Sequence, residues 1–350
     1  MKRNVTKAFL RVILLGVCAM SLMFAQRGYA QTKNEPVSWR VICGDEAGLA
    51  YAISGGLSKF LNDRIPNLKM LPEPGGTVLG ARLVSKGEAA ATYAHQTLLW
   101  EGYHNKGPFQ KSPLGKVKPL HTIYFYPVTM FIVTKADSNI RTIDDLAGKR
   151  VSLGIPAAGL TTASVDLFKA WGLWDKIQNR WMSLNDLADA LKAGNVDAVL
   201  GWTVGDFSPP TAVVQMDTYT KCRVLDISDE QKKTIGKVSG LVSRDTPTRA
   251  AFKQDIGVDK IPGWALWFGF QWGSDVDAEM VYKSVKSFFE GAQDLAKISK
   301  AFEVFAADPK AATIAAISST PDVPVHPGAS KYYKEIGIWQ KNWIEGKAKN

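Results

Sequence analysis

The sequence predicts an α/β fold in which two doubly wound lobes, each built on a mixed sheet, are joined by a hinge. Short apolar runs alternate with stretches of helical periodicity, as is typical of alternating strands and helices. About 320 residues follow an N-terminal targeting segment, which is enough for two lobes of ordinary domain size. The order of βα units, a crossing strand, further βα units and a return is the order that two such lobes would produce.

The individual elements follow from local pattern. Strands are short apolar runs, and we predict them at 37–43, 68–71, 89–93, 127–134, 151–153 and 196–201. Helices have apolar residues at helical spacing, and we predict them at 51–62, 77–86, 161–171, 184–193 and 329–336. A short helix is also predicted at 142–147, with Thr142 as its N-cap and Asp145 three residues later. Gly337 is expected to end the last helix.

The N-terminus has the pattern of a secretory signal peptide at 1–30. A basic region precedes an apolar core at 12–24, and the small residues Gly28 and Ala30 suit a cleavage site after Ala30. The protein is therefore expected in the periplasm, with Cys18 lost with the leader, although an uncleaved anchor is an alternative. Residues 1–30 contain five basic residues and no acidic one, so their removal lowers the formal charge from +10 to +5. Such a mild bias is a weak signal for nucleic acid.

The residues give little support to catalysis. The sequence contains no nucleophile elbow, zinc-protease motif, phosphate loop or Cys-x-x-Cys pair. We therefore predict that the protein is not an enzyme and needs no cofactor or metal, with a secreted hydrolase as a remote alternative. Cys43 and Cys222 remain after the leader and could form a disulfide or stay as buried free thiols. The histidines, each isolated from an obvious nucleophile, are His95, His104, His121 and His326.

The C-terminal region carries a more specific pattern. His326-Pro327-Gly328-Ala329, then Tyr332-Tyr333 and Glu335-Ile336-Gly337, resembles the ending of the TAXI family, the solute receptors of one branch of TRAP transporters. The likeness extends from about Val41 to Trp339. It implies a monomeric extracytoplasmic receptor that captures a small organic solute, such as a carboxylate or amino acid, and delivers it to membrane permease subunits. Receptors of ABC transporters or of sensors remain alternatives with the same fold.

The resemblance also implies the path of the chain. TAXI receptors look like type II periplasmic binding proteins, in which the chain leaves the first lobe, builds the second and returns. The first crossing is expected near 126–135 and the return between about 238 and 264. Lobe 1 would then comprise 31–126 plus 250–350, and lobe 2 would comprise 127–249. The ligand is expected in the cleft between them, beyond the carboxyl ends of the strands.

The first strand-to-helix loop is glycine-rich. Gly44, Gly48 and Tyr51 match the family's ligand-facing loop, and glycines let backbone N–H groups approach a ligand. Asp45 and Glu46 depart from that pattern. They either cap the next helix or face the cleft, where they would favour an amine or a cation. Asp45 is included with the three matching residues as a candidate contact.

Three further candidates lie before the second lobe. Thr77 follows Gly75-Gly76 and could face the ligand or act only as a helix N-cap. Gln96 lies at a strand end, where its amide can both donate and accept hydrogen bonds. Tyr126 is at the predicted crossing. His95 is a poorer candidate than Gln96, because a lone histidine in such a loop is more often structural.

The second lobe supplies four candidates, Gly159, Thr161, Thr162 and Trp202, and Trp264 follows in the returning part of lobe 1. Gly159, Thr161 and Thr162 follow a strand and open a helix, where backbone amides and hydroxyls could bind a carboxylate without a charged side chain. N-capping by one threonine is the plainer interpretation. Trp202 and Trp264 could wall the pocket with flat apolar surface, although most tryptophans fill cores.

Overall fold

The computed structural model describes residues 36–44, 49–156, 159–206, 208–238 and 240–347. The predicted signal peptide with Cys18 and its cleavage site lies outside the described residues, and so do Asp45, Glu46 and Gly48. By its internal contacts the chain from Ser38 onward forms one unit. Within the described part of the chain, no helix is both long and apolar enough to cross a bilayer.

The strands and helices alternate for most of the described chain. The strands are β1 (Val37–Ile42), β2 (Leu68–Glu73), β3 (Ala91–His95), β4 (Tyr126–Lys135), β5 (Arg150–Ser152), β6 (Gln178–Asn179), β7 (Ala198–Val204), β8 (Cys222–Val224), β9 (Val242–Pro247) and β10 (Lys260–Trp272). The helices of the first two thirds are α1 (Leu49–Asn62), α2 (Thr77–Ser85), α3 (Gln96–His104), α4 (Gly159–Ala170), α5 (Leu187–Ala193), α6 (Thr211–Tyr219) and α7 (Asp229–Ile235). The last third contains α8 (Ala278–Glu290), α9 (Ala292–Ile298), α10 (Glu303–Ala307), α11 (Pro309–Ser318) and α12 (Pro327–Glu335).

The strands form one hydrogen-bonded sheet in the order β2-β1-β3-β10-β4-β7-β5-β6, with β8 paired to β4 and β9 paired to β10. On one side, β1 and β3 are parallel. On the other side, β5 is parallel to both β6 and β7. The two parallel groups are separated by β10 and β4, which pair antiparallel with their neighbours.

The long strand β10 connects the two groups. Its C-terminal residues, from Phe268 to Trp272, pair with β3, whereas its central residues, from Trp264 to Phe268, pair with β4. Its N-terminal part pairs with β9. This arrangement, with β4 leading into one half and β10 leading back, is the two-lobed type II architecture, and it confirms the predicted fold class.

Burial explains why these segments take their structures. The first nine of the ten residues of β4 are buried, as expected for a central strand covered on both faces. Helix α1 turns Ile53, Leu57 and Phe60 inward at helical spacing, and Phe60 stacks on Phe288 of α8 with ring centroids 5.5 Å apart. Asp277 caps α8 by accepting a hydrogen bond from the Met280 amide at 2.8 Å.

Several predicted elements differ from the structure in their bounds, among them the strand predicted at 196–201, which is Ala198–Val204, and the helix predicted at 184–193, which begins at Leu187. The strand predicted at 89–93 lies two residues later, so His95 ends β3 and Gln96 begins α3. The helix predicted at 142–147 is a single 3-10 turn, Asp144–Leu146. Thr142 does not cap it with its hydroxyl. Instead the Asp145 carboxylate accepts hydrogen bonds from the Thr142 amide and hydroxyl and from the Arg141 amide, which favours a tight turn.

Candidate functional site

The carboxyl ends of strands from the two halves meet beside the hinge strands. A Cβ atom built on Gly159, the first residue of α4, would lie 3.5 Å from Nε2 of His95 at the end of β3. A Cβ built on Gly205, just after β7, would lie 2.9 Å from the carbonyl oxygen of Ala301. The halves are therefore in contact at the ends of their strands, where open α/β sheets bind ligands.

An aromatic layer lies on one face of the sheet at this junction. Phe268 of β10 is the register partner of both His95 and Tyr126. Its ring centroid lies 5.2 Å from the His95 ring and 6.1 Å from the Tyr126 ring. Tyr93, two residues before His95, belongs to the same face and lies 6.3 Å from Tyr126. Phe268 is half-buried, whereas the other three side chains are buried.

Burial keeps this layer neutral. It raises the pKa of the Tyr93 and Tyr126 phenols and lowers the pKa of His95 to about 4. His95 also caps α3, because its Nδ1 atom accepts a hydrogen bond from the Leu98 amide at 3.2 Å. Since Nδ1 is an acceptor and the ring is neutral, the proton is on Nε2, the atom that faces Gly159.

Gln96 uses both ends of its amide within the protein. Its Nε2 donates to the carbonyl oxygen of Gly240 at 3.1 Å, and its Oε1 accepts from the Trp267 amide at 2.8 Å. The side chain is buried. Each end of the amide can form one further hydrogen bond beyond these two.

The residues of the second lobe are placed differently from one another. The Thr161 hydroxyl donates to the carbonyl oxygen of Leu153 at 2.8 Å and is buried, whereas Thr162 is exposed. A Cβ on Gly154, where φ is +109°, would lie 2.4 Å from Oγ1 of Thr161. Thr161 therefore ties the start of α4 to the end of β5, and Gly154 leaves room for it.

The two tryptophans are core residues. Trp264 is fully buried, and its ring lies 5.6 Å from that of Trp171 and 6.4 Å from that of Phe168. Its indole N–H donates to the Ser164 hydroxyl at 3.2 Å. Trp202 is 9% exposed and lies opposite Met130 in the β4–β7 ladder. Trp264 thus supports α4 from beneath, and protein atoms cover the surface that was predicted to wall the pocket.

The first-lobe loops are brought together by glycines. Gly44 has a φ of +80° and accepts a hydrogen bond from the Gly75 amide at 2.7 Å, which joins the ends of β1 and β2. Thr77 is the first residue of α2 rather than its N-cap, because Gly76 takes the cap position without a side-chain bond. Tyr51 is half-buried in the first turn of α1.

The cysteines do not form a disulfide. Cys43 and Cys222 are free and buried. Cys43 follows β1 and Cys222 begins β8, which belong to the two different halves of the sheet. Burial raises the pKa of each thiol to about 12.

The C-terminal motif that carried the family resemblance has a structural role. His326 caps α12 by accepting a hydrogen bond from the Gly328 amide at 3.2 Å. A Cβ on Gly328 would lie 2.2 Å from the carbonyl oxygen of Ala278, so the absence of a side chain lets α12 contact α8. The Tyr333 hydroxyl donates to the carbonyl oxygen of Thr122. The motif therefore fixes helix packing.

Two grooves are lined by described residues on the protein surface. One, of about 420 Å³, is between α3 and α4 and includes Trp100, Asp166 and Thr320 in its lining. The other, of about 530 Å³, is lined in part by Arg150 and Asp197, whose side chains form an ion pair at 2.6 Å. It lies at the amino ends of β5 and β7, opposite the strand ends where a ligand is expected.

Comparison with known families decides the kind of protein. A family model described as the NMT1-like family matches residues 42–337. The chain belongs to the NMT1-like family. Its members are periplasmic solute-binding proteins of transporters, with a type II binding-protein fold, and they are binding proteins rather than enzymes.

Several solved structures are similar to this chain at low sequence identity, and one of them reaches a TM-score that supports the same fold. The chain is similar to a periplasmic sulfonate-binding protein of a putative sulfonate ABC transporter from Methylobacillus flagellatus, with 13% identity, a TM-score of 0.50, and coverage of 91% of this chain and 99% of that one. It also matches a probable amino-acid ABC transporter extracellular-binding protein from Bacillus subtilis, with 17% identity, a TM-score of 0.46, and coverage of 77% and 98%. A putative L-cystine ABC transporter protein from Listeria monocytogenes matches with 18% identity, a TM-score of 0.43, and coverage of 76% and 95%.

Proposed function

We propose that this solute-binding protein is the receptor of a TRAP-type secondary transporter, and that it captures a small organic carboxylate or amino acid by closure of two lobes. The observation that supports closure is the meeting of strand ends from both halves, with His95 beside Gly159. Only a molecule that contacts both halves can favour the closed arrangement over the open one.

The lobe boundaries belong to this proposal. Lobe 1 comprises 31–126 plus 250–350, and lobe 2 comprises 127–249. The strand register supports a return within β10, because that strand changes partner from β4 to β3 at Phe268. The two halves would then rotate about β4 and β10, whose residues at the change of partner absorb the motion.

One group of the proposed contacts, Gly159, Thr161 and Thr162, lies in the first turn of α4. The first turn of α4 has backbone N–H groups that lack partners within the helix, and they favour an acceptor or an anion. The neutral imidazole of His95 beside them can hydrogen-bond a carboxylate without a counter-charge. The candidate contacts are Gly44, Asp45, Gly48, Tyr51, Thr77, Gln96, Tyr126, Gly159, Thr161, Thr162, Trp202 and Trp264, of which Gln96, Thr161 and Trp264 also have the structural partners described above.

The choice of a TRAP-type carrier rests on the C-terminal motif and the likeness from Val41 to Trp339. An ABC-type carrier is the second candidate, because a sulfonate-binding protein of such a system has this fold. The two differ in their energy source. Right-side-out membrane vesicles from the source cell, loaded without ATP and supplied with the purified receptor, should accumulate the solute when an ion gradient is imposed. Uptake that needs internal ATP would replace the TRAP proposal by the ABC one.

A binding experiment tests the receptor function itself. Protein recovered from the periplasm should be stabilised in a thermal-shift screen by at least one compound from a panel of organic acids, amino acids, amines and neutral sugars. Small-angle scattering should then show a smaller radius of gyration with that compound than without it. A protein that none of the panel stabilises, or that breaks down a panel member, would contradict the proposal.

A further inference from the structure

The Tyr93 hydroxyl is buried without a hydrogen-bond partner among the described residues, but within the aromatic layer His95 is the group whose donor direction is fixed, because its ring is held through Nδ1. Its side chain is only 5% exposed. Its Nδ1 atom is held by the Leu98 amide at 3.2 Å, and its ring packs on Phe268. Among the described residues, its Nε2 atom contacts no hydrogen-bond acceptor. A hydrogen-bond donor on a side chain this buried is expected to meet an acceptor in some functional state.

The direction of that donor is set by the other half of the protein. A Cβ on Gly159 would lie 3.5 Å from Nε2, so the imidazole N–H faces the first residue of α4. Helix α4 is 12 residues long, and its first amides lack intrahelical partners. The side-chain donor of one half and the backbone donors of the other therefore converge on the same space.

We propose that His95 is a side chain of the first lobe that binds the acceptor group of the ligand, and that it does so together with the amino end of α4. This inference rests on the receptor function proposed above. The group recognised is a carboxylate or another compact acceptor, because every group that converges there is a donor.

The neutral state of the imidazole determines which chemical groups of a ligand it can bind. A donor without charge binds an acceptor oxygen but leaves the negative charge to the helix amides, which suits a carboxylate with no basic partner. Gln96, in contrast, is occupied at both ends by Gly240 and Trp267. Its part is to hold the backbone around the site, which makes it a positioning residue.

Two substitutions test the proposal while sparing the fold. His95→Asn keeps a side-chain acceptor for the Leu98 amide, since asparagine is a good N-cap, but cannot reach Gly159. Gly159→Ala places a methyl group at ordinary contact distance from Nε2 and fills the space between the two donors. Each should weaken binding of the panel carboxylate or amino acid by about tenfold to a hundredfold in isothermal titration calorimetry, with little change in melting temperature.

Matched controls separate this role from general damage. His104→Asn changes a histidine at the far end of α3 that pairs with Asp322 at 2.6 Å. Gly55→Ala changes a helical glycine of α1 whose Cβ would meet nothing within 4 Å. Both controls should bind like the unmodified protein.

The outcomes are distinct. Unchanged affinity of His95→Asn and Gly159→Ala for a compound that the unmodified protein binds would overturn the inference and leave the receptor function intact. Tight binding of amines or sugars, and of no acid, would overturn the assigned ligand class. Absence of binding by every panel compound would overturn both the inference and the proposed function.

Discussion

The contact between Gly240 and Thr320 offers a direct test of how the segment before β9 packs. Gly240 has a φ of +73°, and a Cβ there would lie 2.2 Å from Cγ2 of Thr320, where ordinary contact begins at 3.4 Å. Thr320 cannot easily yield, because its carbonyl oxygen and its hydroxyl both lie 3.0 Å from Nε2 of His121. The backbone of Gly240 is also held by Gln96.

Gly240→Ala should therefore be destabilising for two reasons. A left-handed backbone conformation costs a non-glycine residue about 1–2 kcal/mol. Displacing Thr320 by more than an ångström adds an overpacking cost of about 1–3 kcal/mol. Gly257→Ala is the matched control, because Gly257 has a similar φ of +80° but its Cβ would meet nothing within 4 Å.

Urea unfolding at equilibrium measures the difference. The free energy of unfolding should fall by about 1–2 kcal/mol in Gly257→Ala and by a further 1–3 kcal/mol in Gly240→Ala, with similar m-values. Equal losses in the two variants would show that Gly240 does not pack on Thr320 and would refute the reasoning.

Three more predictions concern buried titratable groups. Burial, followed by the nearby Asp166 carboxylate, raises the pKa of Glu101 to about 7, so its contribution to stability is lost as pH rises from 4.5 towards 7. Glu101→Gln should therefore raise the free energy of unfolding at pH 8 by up to about 3 kcal/mol but not at pH 4.5; an equal gain at both would contradict this. Burial lowers the pKa of His121 to about 4, so its contribution is present above pH 6.5 and lost as pH falls towards 4. Replacing it by glutamine should flatten the fall in stability over that interval by up to about 1.4 kcal/mol per pH unit, and an unchanged slope would exclude a buried neutral ring. The thiols of Cys43 and Cys222 should not react with a thiol reagent at pH 8 until denaturant is added, whereas fast labelling of the native protein would show them to be accessible.

The thiol experiment also reports on the leader. The full sequence has three cysteines. Unfolded protein recovered from the periplasm should release two reactive thiols if the segment that contains Cys18 has been removed, and three if it has been retained.

Local sequence pattern was sufficient for most of the fold. An apolar run such as 127–134 is buried on both faces, as expected for a central strand. Its secondary structure and its position could therefore be predicted from the sequence. The α/β class followed from the alternation of such runs with helical periodicity. Element ends were less certain, since they depend on single capping interactions such as that of Asp145 with Thr142.

The candidate site was harder to predict because the same residue type serves core and cleft. Gln96 and Trp264 have side chains suited to ligand contact, but tertiary partners occupy both. His95 caps α3 through its ring, in agreement with the structural role predicted for it, and it ends a strand that lies two residues later than predicted. A strand that ends at His95 would have put Tyr93 and His95 on one face, which was the available signal.

The chain by itself determined the α/β class, six of the ten strands in the described part of the chain and the general class of solute-binding protein, since these depend on hydrophobic periodicity and on motifs that contact near neighbours. The tertiary structure decided which polar groups are free. Whether a polar group is free depends on residues distant in sequence. Gly159 lies beside His95, whereas the Trp267 amide and the Ser164 hydroxyl form hydrogen bonds with Gln96 and Trp264. The sequence specifies the chemistry of each side chain. Whether that side chain can bind a ligand depends on which hydrogen-bonding groups remain unpaired after the core has packed.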